Sequence, residues 1–336
     1  MGPVLLLTGT LYVGAFKLGS IPPLGPFLDP FSGVWAVAVT TELPAKLDAS
    51  IASLTDTVTV VYDDRAVPHI FARSRLDAAR ALGYVVARDR LFQLEIQTRA
   101  AAGKLSELFG RRTLAVDRYF RSLWLAASAG EELAELQATD PGSVELLHAY
   151  AQGVNAWIGG LQRRNFPLEY HFLDVRPMRW EPVHTLYLIK YMGWTLARFS
   201  RDRDRLEVAA LIGEEAADAL FPIHSPLQEP LEPNGQTEAR LDFVRLPPPG
   251  EPDAAVRATA RAIRRAGFLA DWLDQDGAHA SNHWAVSPWR TANGYAILAG
   301  DPHLDLTLPS TWYETHLLVP NEQDVYGVTF PGAPDI

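Results

Sequence analysis

The stretch from 281 to 304 constrains the fold most, because its pattern is that of two strands joined by a turn. Trp284 and Val286 are apolar at alternate positions, and the same spacing returns after an Asn293-Gly294 dipeptide. Alternation with a period of two is typical of strands, and Asn-Gly between two such runs is a strong hairpin signal. The sequence therefore predicts an antiparallel strand pair near its carboxyl end.

The chain ahead of this hairpin is predicted to be mainly helical. Ser74 and Asp77 form a capping-box-like start, and apolar residues recur at helical spacing from there to about Ala102. Further helices are predicted at 116–136, 143–158 and 182–197. Two short strands are predicted at 57–62 and 69–72. The pattern as a whole indicates a mixed α/β chain.

The long helix carries Asp89, Arg90 and Glu95, which taken together resemble a polar site. Charged residues on one side of an amphipathic helix are usually solvated or paired, and we prefer that interpretation. His69, near the start of a predicted strand, is likewise interpreted as a structural histidine rather than a catalytic base.

Composition excludes several classes of function. The chain of 336 residues has a formal net charge of −10, which argues against a nucleic-acid partner. It contains no cysteine, which excludes disulfides, thiol catalysis and cysteine-based zinc sites. A hydrophobic share of 48% and a charged share of 21% are ordinary for a globular protein with an ample core.

Two long motifs, in a fixed order, resemble one known family. The first runs from Val67-Pro68-His69-Ile70 through Asp89-Arg90-Leu91-Phe92-Gln93-Leu94-Glu95 to Gly103-Lys104-Leu105-Ser106-Glu107, and the second from Ser281-Asn282-His283-Trp284 to Asp301-Pro302-His303-Leu304. In these motifs the chain resembles the penicillin acylase (penicillin amidase) family of N-terminal-nucleophile hydrolases. The resemblance covers roughly 55–336.

The resemblance implies a self-cleaving precursor with Ser281 as its nucleophile. Cleavage at Ala280-Ser281 would make Ser281 the first residue of a new chain, and Asn282 would support the turn around it. A freed α-amino group has a pKa of about 7.7 to 8.0, so it can serve as the base that a serine hydroxyl needs. From the pattern alone, Ser281 is instead a turn or capping residue at the start of a strand. The family usually has glycine where Ala280 stands, so we expect slower cleavage.

Other positions match the family residue by residue. Arg198 and Phe199 match a pair that borders the acyl pocket, and Leu304 matches a position that lines the same pocket. His303 matches a histidine that contacts the serine in cephalosporin acylases, so the resemblance implies a catalytic role. The alternative for Arg198 is a helix-terminal arginine that satisfies carbonyls, with Phe199 as a core aromatic.

The resemblance implies no catalytic cofactor, but it does imply a structural calcium ion in the full-length protein. The family has one acidic calcium ligand a few residues after the arginine-phenylalanine pair. Asp202, Asp204 and Glu207 are all candidates for this position. We choose Glu207 because it begins an apolar helical run. Calcium needs about six or more oxygens, so this chain alone does not complete the site. His279, His283 and His303 have spacings that fit no common metal motif.

The expected fold is α/β, an N-terminal-nucleophile αββα sandwich with two stacked antiparallel sheets, here truncated. Four regions are expected: a signal or anchor with a linker (1–35), a mostly helical α-subunit region (50–222), a spacer (223–280) and the start of the β-subunit (281–336). The spacer includes a basic amphipathic helix predicted at 254–272. Because the family's oxyanion donors lie in later segments, we expect a fragment that is inactive alone.

The implied activity is hydrolysis of linear amides in N-acylated small molecules: a β-lactam side chain, an acyl-homoserine lactone or a related compound. The cut subunits would pair as an αβ heterodimer, with no nucleic acid. The apolar run 3–16 favours export to the periplasm or an N-terminal anchor; the alternative is a buried segment. Two other classes stay open: an unprocessed exported binding protein of the same fold, and a conventional serine hydrolase, although no Gly-x-Ser-x-Gly motif occurs.

Overall fold

The computed structural model describes residues 2–16, 23–31, 33–39, 51–197, 201–222, 249–262, 280–304 and 306–336. The chain divides into two compact units. The first comprises Met1–Gly193 with Gly277–Ile336, and the second comprises Trp194–Asp276. Arg198 and Phe199, the predicted pocket pair, lie outside the described residues.

The first unit is mostly helical, as the sequence predicts. Its helices are α1 (Gly2–Gly14), α2 (Leu24–Leu28), α3 (Val34–Val39), α4 (Arg75–Ala101), α5 (Ser106–Phe109), α6 (Leu114–Ser122), α7 (Leu125–Thr139), α8 (Pro141–Gly160), α9 (Leu168–Leu173) and α10 (Pro182–Ala197), the last of which extends into the second unit. Within the described residues, no helix combines the length and the apolar character that crossing a membrane requires.

Helix α4 begins where the sequence predicts. The Ser74 hydroxyl accepts a hydrogen bond from the backbone N–H of Asp77 at 3.2 Å, which satisfies one of the unpaired donors of the first turn. The helix is bent at Arg90, whose backbone is non-helical (φ −138°, ψ 22°). The prediction of a single helix over 116–136 is wrong. Two helices, α6 and α7, cover this stretch, because Trp124 adopts a left-handed conformation (φ 63°) between them.

Helices α4 and α8 cross at very short distance because each has a glycine at the contact. A β-carbon on Gly83 would lie 2.3 Å from the Tyr150 carbonyl oxygen, and one on Gly153 would lie 1.9 Å from the Arg80 carbonyl oxygen. These two helices carry much of the main core, which includes the fully buried residues Leu82, Val86, Leu94, Tyr150 and Val154.

Among the residues that the structure describes, four strands form the main sheet, in the order β1-β2-β5-β6. They are β1 (Thr59–Tyr62), β2 (Pro68–Phe71), β5 (Tyr313–Val319) and β6 (Gln323–Thr329). The outer pairs are antiparallel, but β2 and β5 are parallel, with His69 opposite His316. The sheet is therefore mixed rather than purely antiparallel, since two hairpins far apart in sequence join side by side. One face of β5 is buried, at Tyr313, Thr315, Leu317 and Val319.

The predicted hairpin forms a separate two-stranded sheet of β3 (Ala280–Val286) and β4 (Ile297–His303). Its register runs from Ala280 opposite His303 to Val286 opposite Ile297. The connection is longer than a tight turn and occupies 287–296, with Gly294 at φ 73°. Trp284, one of the apolar residues at alternate positions of β3, is 65% exposed.

The second unit contains α11 (Arg201–Ile212) and α12 (Glu214–Leu220). Arg205 of α11 holds them together, because its guanidinium donates to Glu214 at 2.8 Å and also contacts Asp218. Residues 254–262 are helical, which confirms the described part of the helix predicted at 254–272.

Candidate active site

Ser281 occupies the second position of strand β3, and its side chain is exposed. The peptide bond between Ala280 and Ser281 lies within the strand, opposite Pro302 and His303 of β4. Within the described part of the chain, the Ser281 hydroxyl has no hydrogen-bond partner. The predicted nucleophile is thus accessible and, among the residues that the structure describes, has no side-chain base beside it.

His303 lies close to Ser281 along the hairpin but on its other face. In an antiparallel pair, directly opposed residues share a face and neighbours along one strand alternate. His303 is opposite Ala280, whereas Ser281 is opposite Pro302. The uncut hairpin therefore does not bring the imidazole of His303 and the hydroxyl of Ser281 together.

The imidazole of His303 is held by a neighbouring carboxylate instead. Its Nε2 lies 2.8 Å from Oδ2 of Asp301, two residues earlier on the same face of β4. Asn282 is exposed on that face too, opposite Asp301. Leu304 follows the strand and is partly buried. Asn282, Asp301 and His303 thus form an exposed polar group at one end of this face, next to the exposed Trp284.

A second polar cluster surrounds Asp89 of α4. The Tyr313 hydroxyl donates to the Asp89 carboxylate at 2.7 Å, although the two residues are 224 positions apart. The side chain of Asp89 is open to solvent in a recess of the surface. Burial by the surrounding protein nevertheless raises the pKa of Asp89, against the hydrogen bond from Tyr313 and the nearby guanidiniums of Arg88 and Arg90, which lower it.

The tyrosines beside Asp89 are perturbed in the same direction. Burial raises the pKa of Tyr313 well above its ordinary value, and the negative charge of Asp89 adds to this effect. Burial also raises the pKa of Tyr62 to about 12. Sequence reasoning interpreted Asp89 as one of a set of paired or solvated charges, and it is paired. Its partner was missed because only a contact between distant segments reveals it.

Glu95, six residues further along α4, is only 3% exposed. Its carboxylate accepts from Arg99 at 2.8 Å, from the Tyr170 hydroxyl at 2.8 Å and from the Met178 backbone N–H at 3.0 Å. A buried carboxylate that accepts hydrogen bonds from three donors has a structural role. The interpretation of Glu95 as a paired charge is therefore confirmed.

The implied calcium site does not assemble from the residues that the structure describes. Glu207 lies in α11, with Asp204 one turn earlier. Among the described residues, no group of three or more histidine, aspartate or glutamate side chains converges to hold a metal ion. The donor set found here does not fit a cation that needs about six oxygens.

The order and positions of these elements agree with a family match. A model of the penicillin amidase family aligns with residues 57–336. The chain belongs to the penicillin amidase family. The match spans both the α4 motif and the β3–β4 hairpin, and the mixed content of helices and strands agrees with the α/β class expected from the sequence.

Curated relatives carry the names of two kinds of acylase. The chain is 33% identical over 297 residues to penicillin acylase 2 proenzyme of Pseudomonas sp. (strain SE83), covering 87% of this chain and 36% of that protein. It is 28% identical to acyl-homoserine lactone acylase QuiP of Pseudomonas aeruginosa, over 85% of this chain and 32% of that protein. Penicillin G acylase of Escherichia coli is 27% identical, over 76% of this chain and 34% of that protein. The chain thus spans about a third of the length of these relatives.

One solved structure is also similar in part. A thermostable penicillin G acylase from Alcaligenes faecalis matches 54% of this chain and 97% of that chain, with 24% sequence identity and a TM-score of 0.42.

Proposed function

We propose that this penicillin amidase family member hydrolyses linear amides of N-acylated small molecules, with Ser281 as an N-terminal nucleophile. The observation that carries the proposal is the family match over residues 57–336, a range that includes Ser281, which is exposed near the start of strand β3. The named relatives act on penicillins or on acyl-homoserine lactones, and both substrates contain such an amide.

Self-cleavage comes first in this mechanism. The Ser281 hydroxyl attacks the Ala280 carbonyl carbon, the Ala280-Ser281 C–N bond breaks, and the released amine takes a proton. Water then hydrolyses the resulting ester and leaves a carboxylate on Ala280. The cut removes only the outermost of the paired positions, Ala280 with His303, so the rest of the β3–β4 register remains to position Ser281.

Substrate hydrolysis then uses the freed amine. The Ser281 hydroxyl attacks the amide carbonyl, and its proton passes to the Ser281 α-amino group, directly or through one water. That proton goes on to the leaving amine as the C–N bond breaks. Water hydrolyses the acyl-enzyme, releases a carboxylic acid and restores the serine. His303, Arg198, Phe199 and Leu304 are proposed to position the serine and the acyl group.

The two products of cleavage are proposed to stay together as an αβ heterodimer. Several contacts join segments on either side of the cut. Strand β2 pairs with β5, and Thr185 donates to the Gly332 carbonyl at 2.7 Å. Gln93 donates to the Ser310 carbonyl at 2.9 Å. We also propose export to the periplasm. In the full-length protein, Glu207 is proposed to be one ligand of a structural calcium ion.

The test is a substrate screen on processed protein. Release of free amine from penicillin G, a cephalosporin and an N-acyl-homoserine lactone is followed with a primary-amine reagent. Hydrolysis of at least one of these amides, lost in Ser281→Ala, supports the proposal. Protein that stays uncut and hydrolyses none of them would instead favour a non-catalytic binding protein of the same fold.

A further inference from the structure

Two histidines from distant parts of the chain meet on the face of the main sheet that points away from the core. His69 of β2 lies directly opposite His316 of β5, and their Nδ1 atoms are 3.1 Å apart. The adjacent residues Ile70 and Leu317 are fully buried in the main core. Because side chains alternate between the two faces of a strand, both imidazoles lie on the other face, where each is partly exposed.

Each imidazole has a carboxylate near its other ring nitrogen. Nε2 of His316 lies 2.8 Å from Oδ1 of Asp324 in β6, and Nε2 of His69 lies 3.6 Å from Oδ2 of Asp63. Asp63 is fixed in place, since its other oxygen accepts the Val67 backbone N–H at 2.9 Å. An ionised carboxylate only accepts hydrogen bonds, so it favours the tautomer that carries its hydrogen on the nearby Nε2. Each Nδ1 atom is then left with a lone pair.

The two Nδ1 atoms are best satisfied by a cation between them. If both rings carry their hydrogen on Nε2, two nitrogens without a hydrogen lie 3.1 Å apart, which is repulsive. If His69 instead carries its hydrogen on Nδ1, that hydrogen bonds to His316, but Nε2 of His69 is left without a hydrogen beside the Asp63 carboxylate. A positive ion shared by the two Nδ1 atoms removes both conflicts, and that ion is either a proton or a metal ion.

The separation of the two nitrogens suits a metal ion. Zinc binds imidazole nitrogen at about 2.0–2.1 Å, so two such ligands lie about 2.9 Å apart at a right angle and about 3.3 Å apart at the tetrahedral angle. The observed 3.1 Å falls between these values. Histidines that bind metals usually donate their other ring N–H to a carboxylate or carbonyl, and Asp324 holds Nε2 of His316 in this way.

The charges near the pair also favour a divalent cation. Asp63 and Asp324 lie beside the imidazoles, and the guanidinium of Arg65 approaches Asp63 at 3.7 Å. Arg65 also binds Glu314 at 3.1 Å, so its positive charge is offset by a third carboxylate. With three carboxylates and one guanidinium ionised, the group carries two net negative charges, and these attract an ion of charge +2.

We propose that His69 and His316 bind one divalent transition-metal ion, typified by Zn²⁺, through their Nδ1 atoms, with water at the remaining positions. Such ions accept imidazole nitrogen, whereas calcium takes oxygen ligands, so this site differs from the calcium site that the family implies. The inference goes beyond the hydrolysis proposed above, because metal binding here needs neither Ser281 nor cleavage. His69 precedes the proposed cut and His316 follows it, so the ion would tie together the segments on either side.

The test is a zinc titration of tag-free protein by isothermal titration calorimetry. It uses the full chain carrying Ser281→Ala, so that self-cleavage plays no part in the result. His69→Gln and His316→Gln each keep a side-chain N–H donor but lose the imidazole Nδ1. We expect one zinc ion per chain, bound at least about tenfold more weakly in either variant. His148→Gln alters an exposed histidine of α8 and should leave zinc binding unchanged.

Two results would overturn the proposal. One is the absence of zinc binding, which leaves a shared proton between the two imidazoles. The other is equal zinc affinity in His316→Gln and His148→Gln, which places any bound zinc elsewhere on the chain.

A matched pair of carboxylate variants tests the partner of His316. Asp324→Asn removes the carboxylate beside Nε2 of His316, and Glu322→Gln removes an exposed carboxylate from the turn between β5 and β6. We expect Asp324→Asn to weaken zinc binding about tenfold and Glu322→Gln to leave it unchanged. Equal effects of the two variants contradict the proposal. Because both side chains are exposed, this comparison still decides if the histidine variants do not fold.

Discussion

The Tyr150 hydroxyl accepts a hydrogen bond of 3.0 Å from the backbone N–H of Gly332, which is 182 positions further along the chain. Thr185 donates to the carbonyl of the same glycine at 2.7 Å. Both backbone groups of Gly332 are therefore held by helices that precede the proposed cut, α8 and α10. The segment after Ser281 is anchored to the helical region at this point.

Substitution of Gly332 by alanine is predicted to weaken that anchor. Its φ of +113° is strained for any residue with a side chain, and a β-carbon would lie 2.2 Å from Cδ1 of Leu188. Strain and overcrowding together should reduce the free energy of unfolding by about 2–4 kcal/mol, measured by urea denaturation.

Gly294→Ala is the control for backbone strain alone. Gly294 also has a positive φ, +73°, but nothing lies within 4 Å of its added β-carbon. We expect a loss of about 1 kcal/mol in this variant. Equal losses at the two glycines would show that the close contact with Leu188 does not matter.

The crossing of α4 and α8 gives a second prediction about stability. Gly153→Ala would place a β-carbon 1.9 Å from the Arg80 carbonyl oxygen, so the helices must separate. We expect the free energy of unfolding to fall by about 3 kcal/mol or more. Gly159→Ala, in the same helix with nothing within 4 Å, should instead gain about 0.5–1 kcal/mol. A small effect of Gly153→Ala in thermal or urea unfolding would contradict this close crossing.

Acid is predicted to destabilise the protein through His184. Burial, with smaller contributions from Lys104 and Arg99, lowers the pKa of His184 from 6.5 to about 4. Between these values the unfolded chain binds a proton that the folded chain does not. Stability is therefore unaffected by this group above pH 6.5 and falls as the pH drops towards 4, by at most about 3 kcal/mol.

The measurement for His184 is urea unfolding from pH 7.5 down to pH 4.5. His184→Gln keeps an acceptor for the Glu181 backbone N–H, which the native Nδ1 accepts at 3.1 Å, but it does not titrate. We expect its stability to depend less on pH over this range, even if it is lower throughout. An unchanged slope would mean that the pKa of His184 is the same in the folded and the unfolded protein.

His303 is predicted to be dispensable for self-cleavage. In the uncut hairpin its side chain lies on the face opposite to that of Ser281, so it does not assist attack on the Ala280 carbonyl. His303→Ala should cleave at nearly the normal rate, since removal of a true acid–base group would slow the reaction by about a hundredfold or more. Gel electrophoresis over time measures the rate. A loss of that size would place His303 in the cleavage chemistry.

Local signals in the sequence predicted the elements well. The Ser74 cap and the two strands around Asn293-Gly294 are both present, because each depends on residues that are neighbours in sequence. The parallel pairing of β2 with β5 was not predicted, since it joins residues such as His69 and His316, which are 247 positions apart. No periodicity encodes such a contact.

In the candidate site, too, local sequence signals predicted some features, whereas others depend on how distant segments pack. Ser281 was predicted to be the nucleophile from a local motif, and its place near the start of a strand was foreseen. That His303 and Ser281 face opposite ways was not foreseen, because a register of one residue decides it and the length of the 287–296 connection sets that register. The pairing of Asp89 with Tyr313 likewise required the folded arrangement.

The central claim is that Ser281 becomes a chain-terminal nucleophile. The most direct test is intact mass combined with amino-terminal sequencing of the purified protein, expressed as this chain and as any longer form from the same gene. We predict a new chain that begins Ser281-Asn282-His283 and is absent from Ser281→Ala. Protein that remains in one piece yet hydrolyses amides, or a cut at the same bond in Ser281→Ala, would contradict the account.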